Sequence, residues 1–396
     1  MHVLGPRALV DEMSAGNEHG EVRWTHTSAD RYLAAIRVGL AYRVLETGAG
    51  DRIAGLPVPY GGRGKRWVKA RFYDGDVVAH GLRRDLERHD VNLLHVPSQG
   101  VPYPALVARY PYVINPHDFQ HEHLPEFFSS KEIERRRKEW YPVQRNASAI
   151  VVHSLQTRGD ALRFLNVPEE KVFYAPYGPL DTFPDVSDAL VEETRKRLAL
   201  PDRFVFYPAR MWPHKNHAAL LQAMGLLEKR GIAVNAVFTG DTTEHEQATR
   251  QRVEALGLGS RVRIVGRVSA EDMAALYRLC TMVVVPSLFE QNSGPMLEGI
   301  HFEKPLAVSG LAELVATLGD GGLVFDGRSP AEIASAIDHV WSSEENRLEL
   351  IERVRKRKAA MSWEPFADTY ERAYGYALEG GSSGGGKALK PAQRVA

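Results

Sequence analysis

Three observations predict an α/β protein of two doubly wound, parallel-sheet domains. Short apolar runs alternate with amphipathic helical stretches in both halves, turn-forming residues follow the runs, and 396 residues are long for one core but comfortable for two. In the first half the runs lie at 92–96, 111–115, 149–153 and 172–175. In the second they lie at 204–208, 234–239, 262–266, 282–286, 306–309 and 323–325. Helical patterns separate successive runs, as parallel strands joined by right-handed crossovers require. The sequence places a first domain over 1–185 and a second over 186–364, joined near 179–187, with a last helix over 365–378 and a flexible tail over 379–396. There is no internal repeat of solenoid period. Ligands of such sheets sit beyond the carboxyl ends of the strands, so two sheets facing each other would make one cleft.

In the second half, FVFYPARMWPHKNHAALLQAM reads as strand, loop and helix, with Arg210 and Lys215 flanking the loop and Asn216 expected as the N-cap of a helix to about 230. Two cations near a helix start suit a diphosphate, because arginine can fork across two oxygens and lysine acts as a point charge. Alone the pair is weak evidence, since basic loop residues are usually just solvated.

About eighty residues on, PSLFEQNSGPMLEGI repeats the arrangement. Met282–Val285 reads as a buried strand, Pro286–Gly294 as a loop, and Pro295 as the opening of a helix, where its fixed φ is welcome. The first-turn N–H groups of such a helix have no intrahelical partners and carry the positive end of the macrodipole, so they can hold a diphosphate without a metal. Glu290 falls in the loop and Glu298 about one turn inside the helix. Carboxylates repel phosphate, so their natural partners are the hydroxyls of sugars flanking it. The plainer reading makes Glu298 a favourable first-turn acid and Glu290 a solvated loop residue.

These cassettes carry a resemblance. The stretch from about Phe204 to Glu364 resembles the C-terminal half of glycosyltransferase family 4, the group 1 glycosyltransferases, which are retaining enzymes of the GT-B fold with two Rossmann-like domains. The matching residues are Arg210 and Lys215, Gly240-Asp241, Val262-Arg263-Ile264-Val265-Gly266, Leu276-Tyr277, Pro286-Ser287 leading into the Glu-x7-Glu pair, and Ser362-Trp363-Glu364. The resemblance implies a nucleotide-diphosphate sugar as co-substrate, UDP- or GDP-linked, with no further cofactor and no metal. It assigns Glu290 to the donor sugar, Glu298 to the nucleotide ribose, and Arg210 and Lys215 to the diphosphate, with Gly240 and Gly294 beside the ligand. It also implies that the last helix crosses back to complete the first domain. Where family members commonly carry glycines and an aromatic after the first glutamate, this chain has Gln291, Asn292 and Ser293, whose side chains can supply hydrogen bonds of their own. Glu303 stands where a helix-ending glycine is usual.

The first half matches best from Leu94 to Gly178, where LLHVPSQ, PYVINPHDFQHEHLPEFF, SAIVVHSLQTRGDALRFL and KVFYAPYG follow the family's order. By resemblance His117 lines the cleft beside the transferred sugar, and Asp118 completes the family's His-Asp pair. Residues 1–90 open without a clear apolar strand. Gly61-Gly62-Arg63-Gly64 is either the family's glycine-rich loop displaced or an ordinary surface turn.

Two constellations compete. His117, His121 and His123 with Asp118 suggest a metal cluster and a hydrolase, but Pro116 and Pro125 bracket the segment and speak against a regular helix. Asp74-Gly75-Asp76 has the spacing of an acidic metal pair, yet precedes an amphipathic helix and reads better as cap and first-turn residues.

Composition narrows the class. The 44% hydrophobic and 25% charged fractions are those of an ordinary globular protein, and a formal net charge of zero gives no electrostatic case for nucleic acid. One cysteine, Cys280, allows no intrachain disulfide, suits a reducing compartment, and reads as a small core residue. MHVLGPRALVDEM lacks the charged and apolar regions of a targeting signal, and no apolar run approaches the ~20 residues a bilayer needs. A cytoplasmic location is expected. Arg63, Lys65, Arg66, Lys69 and Arg71, interleaved with Trp67 and Phe72, add peripheral contact with the inner membrane face, or an acidic glycan, against the plainer reading of solvated surface.

The resulting expectation is a metal-independent, retaining transfer of a hexose to a glycan, lipid-linked or other hydroxyl acceptor. A non-catalytic GT-B nucleotide-sugar binder or partner subunit is the competing class. A nucleotide-sugar epimerase is a third, without identifiable acid and base residues.

Overall fold

The computed structural model describes residues 2–5, 23–26, 86–88, 91–100, 107–180, 182–241 and 245–380. The 61–64 glycines, the 63–72 basic and aromatic stretch, Asp74 with Asp76, and the tail beyond 380 lie outside the described residues. Two compact units emerge. One gathers Met1–Asn115, Pro142–Ala149 and Tyr374–Ala396, the other Pro116–Tyr141 and Ile150–Ala373.

In the first unit, β1 (His2–Gly5) pairs in parallel with β2 (Arg23–His26), and β3 (Leu94–Val96) with β4 (Tyr112–Ile114) in the register Leu94 to Tyr112. β4 is wholly buried, and the Tyr112 hydroxyl donates to the carbonyl of Val143.

The second unit opens with one helical turn, α1 (Gln120–His123), confined between Pro116 and Pro125, and the longer α2 (Ser130–Asn146) follows, its residues from Pro142 on counted with the first unit. β5 (Ala149–Val152), α3 (Leu155–Leu165) and β6 (Val172–Tyr174) make a βαβ turn whose strands pair in parallel, Ile150 with Val172. After α4 (Asp188–Arg197) come six strands: β7 (Val205–Pro208), β8 (Ala236–Thr239), β9 (Val262–Gly266), β10 (Met282–Val285), β11 (Leu306–Ser309) and β12 (Leu323–Phe325). They form one parallel sheet in the order β12-β11-β10-β7-β8-β9. Their connections carry α5 (His217–Lys229), α6 (Glu246–Ala255), α7 (Ala270–Leu279), α8 (Gly294–His301) and α9 (Ala312–Leu318), and α10 (Pro330–Trp341), α11 (Glu344–Ala359) and α12 (Glu364–Leu378) follow.

β8, β10 and β11 are buried along their whole length, which is why they read as unbroken apolar runs: helices cover both faces of a parallel sheet. Chain order reverses at β7, since β8 and β9 extend to one side and β10 returns to the other. The reversal separates the loops after β7 and β10 and leaves a crevice there. Both cassettes therefore end at one place.

Local chemistry sets the helix ends. Ser154, Ser187, Ser269, Ser293, Ser329 and Ser343 each accept a first-turn N–H as N-caps. Asn216 departs from its expected role. Its backbone is left-handed at φ 58° and its side chain caps nothing, donating instead to the carbonyls of Pro286 (2.9 Å) and Gly327 (2.7 Å). The sharp exit from the 3₁₀ turn Pro213–Lys215 demands this conformation, which asparagine tolerates. Glu303 does adopt the left-handed φ of 53° that glycine usually supplies. The N–H groups of Lys304 and Glu303 reach back to Gly299 and Ile300, a Schellman ending, and Arg355 and Lys358 pair with the Glu303 carboxylate. No helix among the described residues is long and apolar enough to cross a membrane.

Candidate active site

The site grows from the carboxyl ends of β7 and β10. The loop after β7 carries Arg210 and the Pro213–Lys215 turn, and the loop after β10 carries Ser287 and Glu290 into α8. Two bonds to backbone carbonyls tie these loops, Asn216 Nδ2 to Pro286 at 2.9 Å and the Leu288 N–H to His214 at 2.8 Å, while Asn216 also reaches Gly327 in the loop after β12. Lys215 Nζ lies 2.6 Å from Glu290 Oε1, which also accepts from the Ser287 hydroxyl at 2.7 Å. The Tyr207 hydroxyl stands 2.8 Å from Ser287 Oγ and 3.1 Å from the Lys215 carbonyl. Full burial holds its pKa well above 10, so it keeps its proton. Glu290 is only 5% exposed, so these partners take the place of most of the water around it.

A cavity of about 280 Å³ opens beside Glu290, inside the second unit. His117, Asp118, Lys215, Glu290, Gln291 and Asn292 line it together. Asp118 also accepts the Gln120 N–H at 2.9 Å and so starts α1. A second hollow adjoins Arg210, Lys215 and Pro295. Arg210 is paired with Asp241, which follows β8.

Glu298, Ser293, Gly294 and Gly240 stand outside these cavity walls. Glu298 accepts the Tyr277 hydroxyl at 2.6 Å, and burial raises its pKa more than that bond lowers it. Ser293 is fully buried and capping α8, while Gly294 is the first residue of that helix. At Gly240, φ is +144° and a Cβ would meet the backbone of Ala209 and Arg210 at 3.0 Å, so glycine lets the β8 loop press on the β7 loop. Gln291 turns its Oε1 toward the hydroxyls of Ser154 and Thr157 at the start of α3.

Comparison with known proteins bears on the family and the fold. Residues 191–357 match the family model described as glycosyl transferases group 1. That segment belongs to the group 1 glycosyltransferases. An alpha-D-kanosaminyltransferase of Streptomyces kanamyceticus is 27% identical over 382 residues, covering 91% of this chain and 95% of that protein. A sucrose-phosphate synthase from Thermosynechococcus elongatus superposes with a TM-score of 0.63 at 20% identity, covering 83% of each chain. The Anabaena protein HepE, solved with UDP-glucose, gives 0.61 at 18% identity over 75% of this chain and 81% of its own. The fold is GT-B.

The histidine cluster does not assemble. His121 is buried with Nε2 3.0 Å from the Tyr141 hydroxyl, and His123 Nε2 lies 2.8 Å from the Asp160 carboxylate. No group of three or more metal-ligating side chains occurs among the described residues. Five further cavity-lining side chains escaped sequence reasoning: Gln120, His153, Tyr177, His214 and Phe289. His153 directly follows β5 and donates from Nδ1 to the Ala175 carbonyl, 3.0 Å away. Its position just beyond a buried apolar run was the available signal.

Proposed function

We propose that the protein is a retaining hexosyltransferase that moves a sugar from a nucleotide-diphosphate donor, UDP- or GDP-linked, to a hydroxyl of a glycan or lipid-linked acceptor without a metal. The observation that carries this reading is the convergence of Arg210, Lys215 and the N-terminus of α8 at the ends of β7 and β10, beside the buried Glu290. Three sources of positive charge meet a carboxylate held by hydrogen bonds. A diphosphate matches the first and sugar hydroxyls the second. The UDP-glucose bound to HepE and the sugar transfer named for the Streptomyces relative support a sugar nucleotide.

In this reading Glu290 binds the transferred sugar, His117 and Asp118 line its other side, and Glu298 receives the ribose. The bond from the anomeric carbon to phosphate breaks as the acceptor oxygen bonds to the same face. The acceptor's proton passes to the departing phosphate, whose growing charge Arg210 and Lys215 stabilise. The division at 1–185 and 186–364, a cytoplasmic location, and membrane contact through 63–72 belong to the same reading.

Thermal unfolding with UDP, GDP, ADP and CDP, each in EDTA and in Mn²⁺, tests it. A diphosphate at ~100 times its dissociation constant adds roughly 2.7 kcal/mol. Stabilisation in EDTA by one nucleotide, followed by an α-configured product from an α-linked donor in NMR, is expected. Stabilisation only with Mn²⁺, or an inverted product, refutes it. Nucleotide binding with no product from any acceptor favours the non-catalytic binder.

A further inference from the structure

His214 is the residue before Lys215 in the 3₁₀ turn Pro213–Lys215, and with Lys215 it lines both cavities. One cavity holds Glu290, His117 and Asp118, the other Arg210 and Pro295. A ligand with its sugar in the first and its phosphates in the second must pass His214 at the junction. Lys215 stands there too, but its ammonium is already paired with Glu290 at 2.6 Å.

The imidazole is free to act. His121, His123 and His153 all spend ring nitrogens on Tyr141, Asp160 and Ala175, whereas no described group hydrogen-bonds the ring of His214, which rests edge-on against Trp212 at 6.1 Å. Burial, reinforced by the Lys215 charge, pushes its pKa down to about 4, so near neutral pH it offers one N–H without adding a charge.

We propose that His214 is a donor-binding residue whose ring N–H hydrogen-bonds the sugar-bearing phosphate of the nucleotide sugar, so that it recognises a diphosphate and not a monophosphate. The proposal rests on the reading of the site as a nucleotide-sugar site.

Calorimetric titration in EDTA with UDP, UMP, GDP and GMP tests it on the wild type, His214→Ala, His214→Asn and His214→Gln. Loss of one hydrogen bond to a charged group corresponds to roughly 10-fold to 100-fold in affinity. The alanine variant should lose that much for the diphosphate and less than about twofold for the monophosphate. One amide variant, whose N–H overlays a ring nitrogen, should recover part of the loss. An alanine variant that binds the diphosphate like the wild type overturns the proposal alone. So does an equal loss for mono- and diphosphate, or no recovery by either folded amide variant. A wild type that binds none of the four nucleotides overturns the site reading and this proposal with it.

Discussion

The Lys215 ammonium lies 2.6 Å from Glu290 Oε1, so the cation read as a phosphate contact and the carboxylate read as a sugar contact form one ion pair. Binding a diphosphate would draw Lys215 toward a second anion and leave Glu290 more available to hydroxyls.

Removing one partner should cost more than removing both. Lys215→Met strands a carboxylate that is 5% exposed, with the Ser287 hydroxyl as a remaining support. Lys215 is 22% exposed, so about 2–3 kcal/mol is expected, below the usual loss for breaking a fully buried pair. The Lys215→Met, Glu290→Gln double variant should lose less than the sum of the singles. Urea unfolding of all four proteins measures the coupling, and additive losses would show that the pair does not stabilise the fold.

Tyr277→Phe should destabilise in a pH-dependent way. Its hydroxyl is the hydrogen bond that holds Glu298 toward the ionised form against burial. A buried acid with a raised pKa contributes stability below its unfolded pKa near 4.5 and loses it as pH rises through the folded value. Losing the tyrosine hydroxyl raises that folded value further. The variant's deficit, about 1.5–3 kcal/mol at pH 7.5, should therefore shrink at pH 4.5, as melts at the two pH values will reveal.

His217 should make the protein acid-sensitive. It packs against Tyr207 and Phe238 with both ring nitrogens unpartnered among the described residues, and burial pushes its pKa down to about 3. Below the unfolded pKa of 6.5 the unfolded chain takes a proton that the fold refuses. Stability then falls by up to about 1.4 kcal/mol per pH unit toward pH 3. His217→Phe should flatten that slope, leaving the share of His214 above pH 4. An unchanged slope assigns the acid loss to other groups.

Gly178 has no room for a side chain. A Cβ there would lie 2.5 Å from the Trp363 ring, whose Nε1 donates to the Pro179 carbonyl at 2.9 Å. Gly178→Ala should cost about 1–3 kcal/mol by overpacking. Adding Trp363→Ala should remove most of that increment, and a full Gly178 penalty in the Trp363→Ala background would contradict steric conflict as its cause.

Physical pattern explains what could be read in advance. Met282–Val285 and Leu306–Ser309 were visible because buried parallel strands are apolar on both faces, and their loops followed automatically. Arg210, Lys215 and Glu290 were visible as charged residues just after such strands. Their partners were not, because spacing cannot say which side chains meet across a sheet: the bonds from Lys215 to Glu290 and from Arg210 to Asp241 are tertiary facts. Asn216 was misread because a cap and a left-handed turn favour the same residue. His153 and His214 belong to no periodic pattern, so only their cavity distinguishes them.

The register of Met282 against Val205 places β10 directly beside β7, with β8, β9 and their helices made in between during synthesis. A nascent chain that has not yet emitted β10 therefore presents the edge of β7, at the middle of the future sheet, to any passing strand. Such long-range pairing forms slowly and exposes the intermediate to aggregation. Fragments ending before residue 285 should therefore be insoluble as well as inactive, because they leave the β7 edge without its partner.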